Sequence, residues 1–216
     1  MICLVTDRRR LAGGDLAAQV RDAVDLGVDL IHVRERDLDA AALAVLVTRL
    51  LRITAGTPTR LVVNDRIDVA LACGADGVQL RGDSIPVAEA RRLAPAGFLI
   101  GRSVHGVNQA IAAADADYLV AGTVFPSASK AAAAPLLGLE GLRAIVRAVD
   151  RPVMAIGGIS AGRIDAVADA GAAGFAAIGL FLPARPDAEV RGARLAELRQ
   201  TMKNARSRFD RPKTTP

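Results

Sequence analysis

The sequence has few aromatic residues and few cysteines, and these absences exclude several classes of protein. Of its 216 residues one is Tyr, five are Phe and none is Trp. Sites that bind single-stranded nucleic acid are built from aromatic side chains on which bases stack, so the sequence disfavours such a site. The two cysteines, Cys3 and Cys73, have neither metal-ligand spacing nor a partner histidine, and both lie in apolar surroundings. We therefore expect reduced thiols and a cytoplasmic protein.

Long uncharged apolar runs are absent as well. No run approaches the roughly 18 residues that a membrane-spanning helix needs. The charges of MICLVTDRRR follow its short apolar stretch, whereas those of a signal peptide precede it. We therefore expect no membrane span and no signal peptide. The composition, 51% hydrophobic and 24% charged, is too apolar for a disordered chain and predicts one folded domain.

The net charge of +5 is concentrated near the C-terminus. Residues 203–216 contain five basic residues and one aspartate, which gives this segment +4 and leaves about +1 for the rest of the chain. A charge confined to one end does not form a nucleic-acid-binding face, so we expect no nucleic acid as a partner. We predict that residues 1–203 form the domain and that residues 204–216 are a basic, disordered tail.

Short apolar runs alternate with longer Ala- and Leu-rich helical patterns. The runs are continuously apolar, which is typical of parallel strands buried on both faces of a sheet. Eight strand-helix units predict an α/β protein with a single (β/α)8 TIM barrel, and a doubly wound open sheet is the alternative. The predicted strands are 2–6, 30–34, 61–64, 77–80, 98–102, 118–121, 153–156 and 175–178, and the predicted helices are 15–26, 39–54, 67–73, 86–93, 107–114, 139–149, 161–170 and 187–203.

Glycines follow the last two predicted strands. In a (β/α)8 barrel the active site lies at the C-terminal ends of the strands, and a phosphate often binds after strands seven and eight. Gly157 and Gly158 follow the seventh strand and Gly179 follows the eighth. Backbone N–H groups at these positions predict a site for a phosphate monoester. The alternative is that the glycines only form tight turns.

A second group of residues at the strand ends is charged. It combines Arg34, Arg36 and Lys130 with two carboxylates, Asp65 and Asp83. Carboxylates hold Mg²⁺, and Arg or Lys neutralises the remaining oxygens of a diphosphate, so this group predicts a Mg²⁺-bound pyrophosphate group. Ordinary salt bridges at the rim are the alternative.

The chain has two histidines, and they differ in position. His32 lies in the second predicted strand, two residues before Arg34, so both side chains should share one face at the barrel mouth. A hydrogen-bonded core histidine is the alternative. His105 lies in a predicted loop, where hydration competes with contact to a substrate.

Eight motifs connect the chain to a known family. They are HVRERD, LVVNDRIDVAL, GADGVQLRGDSIP, IGRSVH, GTVFPSASK, GLEGL, PVMAIGGIS and GAAGFAAIGLF. Their order and spacing resemble those of thiamine phosphate synthases and of the related TenI-type thiazole tautomerases, over residues 1–185. For a synthase, the resemblance implies a transferase that couples hydroxymethylpyrimidine diphosphate to a thiazole phosphate, releases pyrophosphate and uses Mg²⁺.

The resemblance also implies roles for individual residues. The family pattern Gln-x-Arg-x-Lys falls on His32, Arg34 and Arg36, and the strand-eight serine is replaced here by Gly179. The implied catalytic residues are Arg34, Arg36 and Lys130. The implied metal ligands are Asp65 and Asp83. The implied substrate-binding residues are His32, Asn64, Ser103, Ser127, Ser129, Gly157, Gly158, Ile178 and Gly179.

Departures from the family pattern separate the candidate functions. His32 in place of glutamine resembles the tautomerase branch, but the tautomerase histidine before Val-Phe is Thr123 here, and threonine cannot shuttle protons near neutral pH. Asp65 and Asp83 would also be unexplained in an enzyme that needs no metal. We therefore predict the synthase, with small-molecule substrates as partners. The alternatives are a tautomerase that uses His32 or His105 and a non-catalytic paralogue that binds thiamine precursors. The sequence is also compatible with a homo-oligomer.

Overall fold

Eight parallel strands close into a barrel in chain order. The computed structural model describes residues 1–11, 15–127, 135–182 and 188–209. The strands pair in sequence order, and Leu4 beside Ala177 closes the ring between the first and the last. The predicted (β/α)8 barrel is thus confirmed, and the open-sheet alternative is wrong. The strands are β1 (Ile2–Val5), β2 (Leu30–Val33), β3 (Arg60–Asn64), β4 (Gly77–Leu80), β5 (Leu99–Val104), β6 (Tyr118–Gly122), β7 (Val153–Ile156) and β8 (Gly174–Ala177).

A helix follows each strand on the outside of the barrel. Asp15 and Asp39 begin the first two helices, because their carboxylates accept hydrogen bonds from the N–H groups of Ala17 at 2.9 Å and Ala42 at 2.8 Å. None of the helices in the described part of the chain has the length and apolar character needed to span a bilayer. The helices are α1 (Leu16–Asp25), α2 (Ala40–Thr54), α3 (Ile67–Cys73), α4 (Val87–Leu93), α5 (Val107–Ile111), α6 (Gly138–Ala148), α7 (Ile164–Asp169) and α8 (Ala188–Phe209).

The interior of the barrel is packed with side chains. Tyr118 and Met154 are fully buried there, together with the thiol of Cys3. Burial raises the pKa of the Cys3 thiol, which keeps it protonated and unreactive. Val5 and Val120 belong to the same cluster and also line the cavity above it. The interior cluster therefore forms the floor of the site.

The last helix extends past the predicted end of the domain. It continues to Phe209, and its apolar residues Met202, Ala205 and Phe209 follow a helical spacing. Ala205 is fully buried, and the Phe209 ring lies 6.0 Å from the ring of Phe175. The prediction that a disordered tail begins at residue 204 is therefore wrong for residues 204–209, because this apolar face packs on the barrel. Residues 210–216 lie outside the described residues.

Candidate active site

A cavity of about 790 Å³ opens at the C-terminal end of the barrel. Loops that follow the strands supply its walls, as a (β/α)8 barrel requires. Asp65 is a described residue but does not line the cavity. Ser129 and Lys130 lie outside the described residues. The predicted site residues that line the cavity are His32, Arg34, Arg36, Asn64, Asp83, Ser103, Ser127, Gly157, Gly158, Ile178 and Gly179.

Three arginines line this cavity without a salt-bridge partner within the described ranges. They are Arg10, Arg34 and Arg36. Burial and the neighbouring Arg36 guanidinium lower the pKa of Arg34, so an anion placed between the two would relieve an unfavourable charge. The cavity is therefore built to bind an anion.

Buried Glu35 holds the loop that presents two of these arginines. Its Oε1 accepts a hydrogen bond of 2.7 Å from the Thr6 hydroxyl, and Thr6 Oγ1 accepts one of 3.0 Å from the Arg34 N–H. The backbone N–H of Arg8 also donates to Glu35, at 3.1 Å. This network joins the end of β1 to the end of β2 and thereby orients Arg34 and Arg36.

His32 is buried on β2 and is uncharged at neutral pH. Its Nε2 lies 3.2 Å from Oδ1 of Asn64, and an amide oxygen only accepts, so Nε2 carries the proton. Burial and the nearby Arg34 lower the pKa of His32 to about 3. Both His32 and Arg34 line the cavity, as the alternation of side chains along the strand predicts. The imidazole is thus a neutral hydrogen-bonding group with its lone pair on Nδ1.

The C-terminal end of β5 and the loop after it hold two further polar residues of the cavity, Ser103 and His105. Ser103 Oγ accepts a hydrogen bond of 3.1 Å from the side-chain amide of buried Gln79. His105 is exposed, as its loop position predicts, and its Nδ1 contacts the carbonyl oxygen of Gly122. The N–H of His105 donates to Oε1 of Gln109 at 2.8 Å. Both side chains are therefore fixed before a ligand binds.

The two predicted metal ligands both contact Arg81. Arg81 Nε donates to Asp83 at 2.9 Å, and the Arg81 N–H donates to Asp65 at 3.2 Å. Asp65 adopts a left-handed backbone with φ 62°, which is strained for a residue other than glycine. The described residues contain no cluster of three or more His, Cys, Asp or Glu that could hold a metal. Two carboxylates still fit Mg²⁺, which is usually held by one or two carboxylates together with substrate phosphates.

The glycines after β7 are required by the backbone, whereas the glycine after β8 is not. Gly157 and Gly158 have φ values of 100° and 64°. A Cβ would lie 2.4 Å from Thr123 at the first position and 2.5 Å from the carbonyl oxygen of Pro126 at the second. A Cβ at Gly179 would meet no atom within 4 Å. The turn after β7 can therefore carry only glycine, and the end of β8 leaves open space beside the cavity.

Sequence reasoning did not assign a role to several residues of this site. Arg10 belongs to the run RRR after the first strand, where its position at a strand end was the available signal. Gln79 is a polar residue inside the apolar strand GVQL, and a buried polar side chain in a barrel strand commonly has a partner at the site. The contacts of Glu35 cross from one strand to the next, so the sequence alone carries no signal for them.

Comparison with known proteins finds a matching family model, sequence relatives and a similar solved structure. The family model described as thiamine monophosphate synthase matches residues 2–181. A putative thiamine-phosphate synthase of Geobacter sulfurreducens is 42% identical over 197 residues, covering 90% of this chain and 92% of that protein. The thiamine-phosphate synthase of Methanoregula boonei is 40% identical over 208 residues, with 95% and 94% covered. The structure of thiamine phosphate pyrophosphorylase from Pyrococcus furiosus superposes with a TM-score of 0.78 at 35% identity and covers 94% of this chain and 96% of its own.

Proposed function

This chain belongs to the thiamine monophosphate synthase family and is a transferase, and we propose that it couples hydroxymethylpyrimidine diphosphate to a thiazole phosphate. The observation that carries the proposal is that one cavity contains two separate groups suited to anions. Arg34 and Arg36 form one group on the side of β2. Gly157, Gly158 and Gly179 form the other at β7 and β8. Two phosphorylated substrates can therefore bind side by side with their reacting atoms between them.

The arginine group suits the diphosphate of the pyrimidine. Arg34 and Arg36 have no competing salt bridge within the described part of the chain. Lys130, the third basic residue that the family resemblance implies, follows the sixth strand in the sequence. Asp65 and Asp83 would hold Mg²⁺, which when bound neutralises diphosphate oxygens and makes the diphosphate a better leaving group. The neutral His32 would accept a hydrogen bond from the substrate at Nδ1.

The reaction needs no nucleophile from the protein. The bond between the exocyclic methylene carbon and the diphosphate oxygen breaks, and its electron pair leaves with pyrophosphate. The thiazole nitrogen then donates its lone pair to the resulting carbocation. Arg34 and Arg36 stabilise the negative charge that develops on the leaving oxygen, and the glycine group holds the acceptor by its phosphate for close approach.

The state of His32 favours the synthase over the tautomerase. A general base should have a pKa near the working pH, whereas burial lowers the pKa of His32 to about 3. Buried Thr123 occupies the position of the tautomerase histidine and offers only a hydroxyl. His105 is left as the remaining imidazole, and its Nδ1 is already engaged by the Gly122 carbonyl.

Product analysis tests the proposal directly. The purified protein is mixed with Mg²⁺ and both precursors, and thiamine phosphate and pyrophosphate are quantified with each component omitted in turn. We expect equal amounts of both products, and none with a chelator or without either precursor. Binding of both precursors without turnover would instead support the non-catalytic paralogue. Isomerisation of the thiazole without metal would support the tautomerase.

We propose a reducing, cytoplasmic environment for this reaction. Cys3 is buried and free, and Cys73 is half-buried and free. Free cysteines of this kind are typical of compartments in which thiols stay reduced.

A further inference from the structure

The glycine group at β7 and β8 contains no cation of its own. The N–H of Gly158 donates to no backbone carbonyl oxygen among the described residues, so it is available to a phosphate oxygen. Arg163 follows this turn, but its Nη1 donates to the Gly158 carbonyl oxygen at 2.7 Å. Its guanidinium also lies 4.7 Å from the centre of the Phe125 ring. The Arg163 guanidinium is therefore already bonded within the turn. The charge of a bound phosphate has to be neutralised by a residue of another element.

β8 lies between β7 and β1 in the closed barrel. The turn that follows β1 carries Arg10. A 3-10 turn, Arg8–Arg10, follows the strand, and the N–H of Arg10 donates to the Asp7 carbonyl oxygen at 3.0 Å. Buried Leu11 anchors the end of this turn. Arg10 is half-buried and lines the cavity, so its loop lies between the β8 end and the β2 end of the site.

The three arginines of this turn have different surroundings. Arg8 is occupied by Glu35 and Asp37, with ion-pair distances of 3.1 and 2.7 Å. Arg9 is exposed and does not line the cavity. Arg10 forms neither a salt bridge nor a side-chain hydrogen bond with any other residue in the described ranges. Of the three, Arg10 alone combines a position on the cavity with a guanidinium that no carboxylate in those ranges neutralises.

We propose that Arg10 binds the phosphate of the thiazole substrate and supplies the positive charge that the glycine group lacks. The inference rests on the proposed function, in which Arg34 and Arg36 serve the diphosphate. A guanidinium can donate two parallel hydrogen bonds to a phosphate. Gly179 offers no hydroxyl where the family pattern has a serine, so the donors of Arg10 also replace that missing contact.

Two neighbouring substitutions test this role. Arg10→Gln removes the charge on the cavity, and Arg9→Gln removes the same charge from the same turn outside the cavity. We expect Arg10→Gln to raise the Kd of thiazole phosphate, measured by calorimetry, about 10-fold to 100-fold, the loss typical of a charged hydrogen bond. In the coupling assay the KM of thiazole phosphate should rise with it, while the KM of the pyrimidine diphosphate stays unchanged. Arg9→Gln should change neither, and Arg10→Lys should recover part of the loss.

Other results would overturn the inference. An unchanged Kd for thiazole phosphate removes Arg10 from the phosphate site, and a rise confined to the pyrimidine diphosphate assigns it to the other group. Arg10→Met keeps the packing of the stem, so equal loss of both substrates in this variant would show a structural role. The calorimetric measurement needs no turnover. It therefore still tests Arg10 if wild-type protein fails to couple the substrates, a failure that would contradict only the proposed function.

Discussion

His32 is a buried histidine whose neutrality is set by its surroundings. Burial removes solvation from the charged form, and Arg34 repels a second positive charge, so the pKa falls to about 3. In the unfolded chain the same group has a pKa near its usual value of about 6.5. The position of His32 beside Arg34 was predictable from strand alternation, whereas its contact with Asn64 depends on the register of β2 and β3.

The depressed pKa of His32 predicts a pH dependence of stability. Between about pH 6.5 and 3 the unfolded state binds a proton that the folded state does not, so stability falls as the pH falls. Between pH 7 and pH 5 we expect the free energy of unfolding of the wild type to fall by about 2 kcal/mol more than that of His32→Gln. Urea unfolding of both proteins at the two pH values measures this difference. Equal pH profiles for wild type and His32→Gln would contradict the prediction.

Gly179 gives a second prediction at the scale of one residue. Its backbone does not require glycine, and a Cβ there meets no atom within 4 Å. Gly179→Ser should therefore fold normally and add a hydroxyl donor beside the phosphate, lowering the Kd of thiazole phosphate about 3-fold to 10-fold. Gly158→Ser is the contrast, because its Cβ would lie 2.5 Å from the Pro126 carbonyl oxygen. Calorimetry and thermal unfolding of both variants test this, and weaker binding by Gly179→Ser would contradict it.

At the scale of elements, strand positions were largely predictable and helix lengths less so. The predicted strands 77–80 and 153–156 have the observed bounds, because short apolar runs bounded by polar or glycine-containing turns mark buried parallel strands. The helix predicted at 107–114 ends at Ile111, since the alanines that favour helix do not fix where it stops. Contacts between loops, such as that of Glu35 with Thr6, follow from closure of the barrel and have no local signal.

An arginine on the neighbouring strand β5 contacts the loop between β4 and α4 through three backbone carbonyl oxygens. Arg102 donates to the carbonyl oxygens of Ile85 at 2.6 Å, Gly82 at 3.1 Å and Ser84 at 3.4 Å. This loop carries Asp83. Arg102 is therefore a positioning residue for the proposed metal and diphosphate group.

Replacing the Arg102 side chain should affect the binding of only one of the two substrates. We expect Arg102→Met to weaken Mg²⁺-dependent binding of the pyrimidine diphosphate about 10-fold to 100-fold, the usual effect of losing an outer support of a metal site. Binding of thiazole phosphate should not change. Arg91→Met is the control, because Arg91 also donates to a backbone carbonyl oxygen, that of Phe98, and pairs with Asp117, but has no contact with the loop that carries Asp83 among the described residues. Equal weakening of both substrates by Arg102→Met would show that the two groups are not separate.

At the scale of the whole molecule, the C-terminal helix closes the outside of the barrel. Arg206 pairs with Asp29 at 3.1 Å beside the start of β2, and Arg208 pairs with Asp165 at 2.9 Å on α7. Two of the five basic residues that suggested a tail, Arg206 and Arg208, therefore pair with acidic residues of neighbouring elements. The charge count was correct, but it could not distinguish a solvated end from a helix that packs through one face.

Two truncations distinguish a packed helix end from a tail. Deletion of residues 204–216 removes buried Ala205, the Arg206 ion pair and the contact of the Phe209 ring with Phe175. We expect it to cost about 2 kcal/mol or more, mainly through lost apolar burial, and to lower the Tm by roughly 4–8 °C. Deletion of residues 210–216 keeps these contacts and should leave the Tm within about 1 °C of wild type. Thermal unfolding of the two truncated proteins tests this prediction. Equal melting temperatures would show that the folded domain ends before residue 204.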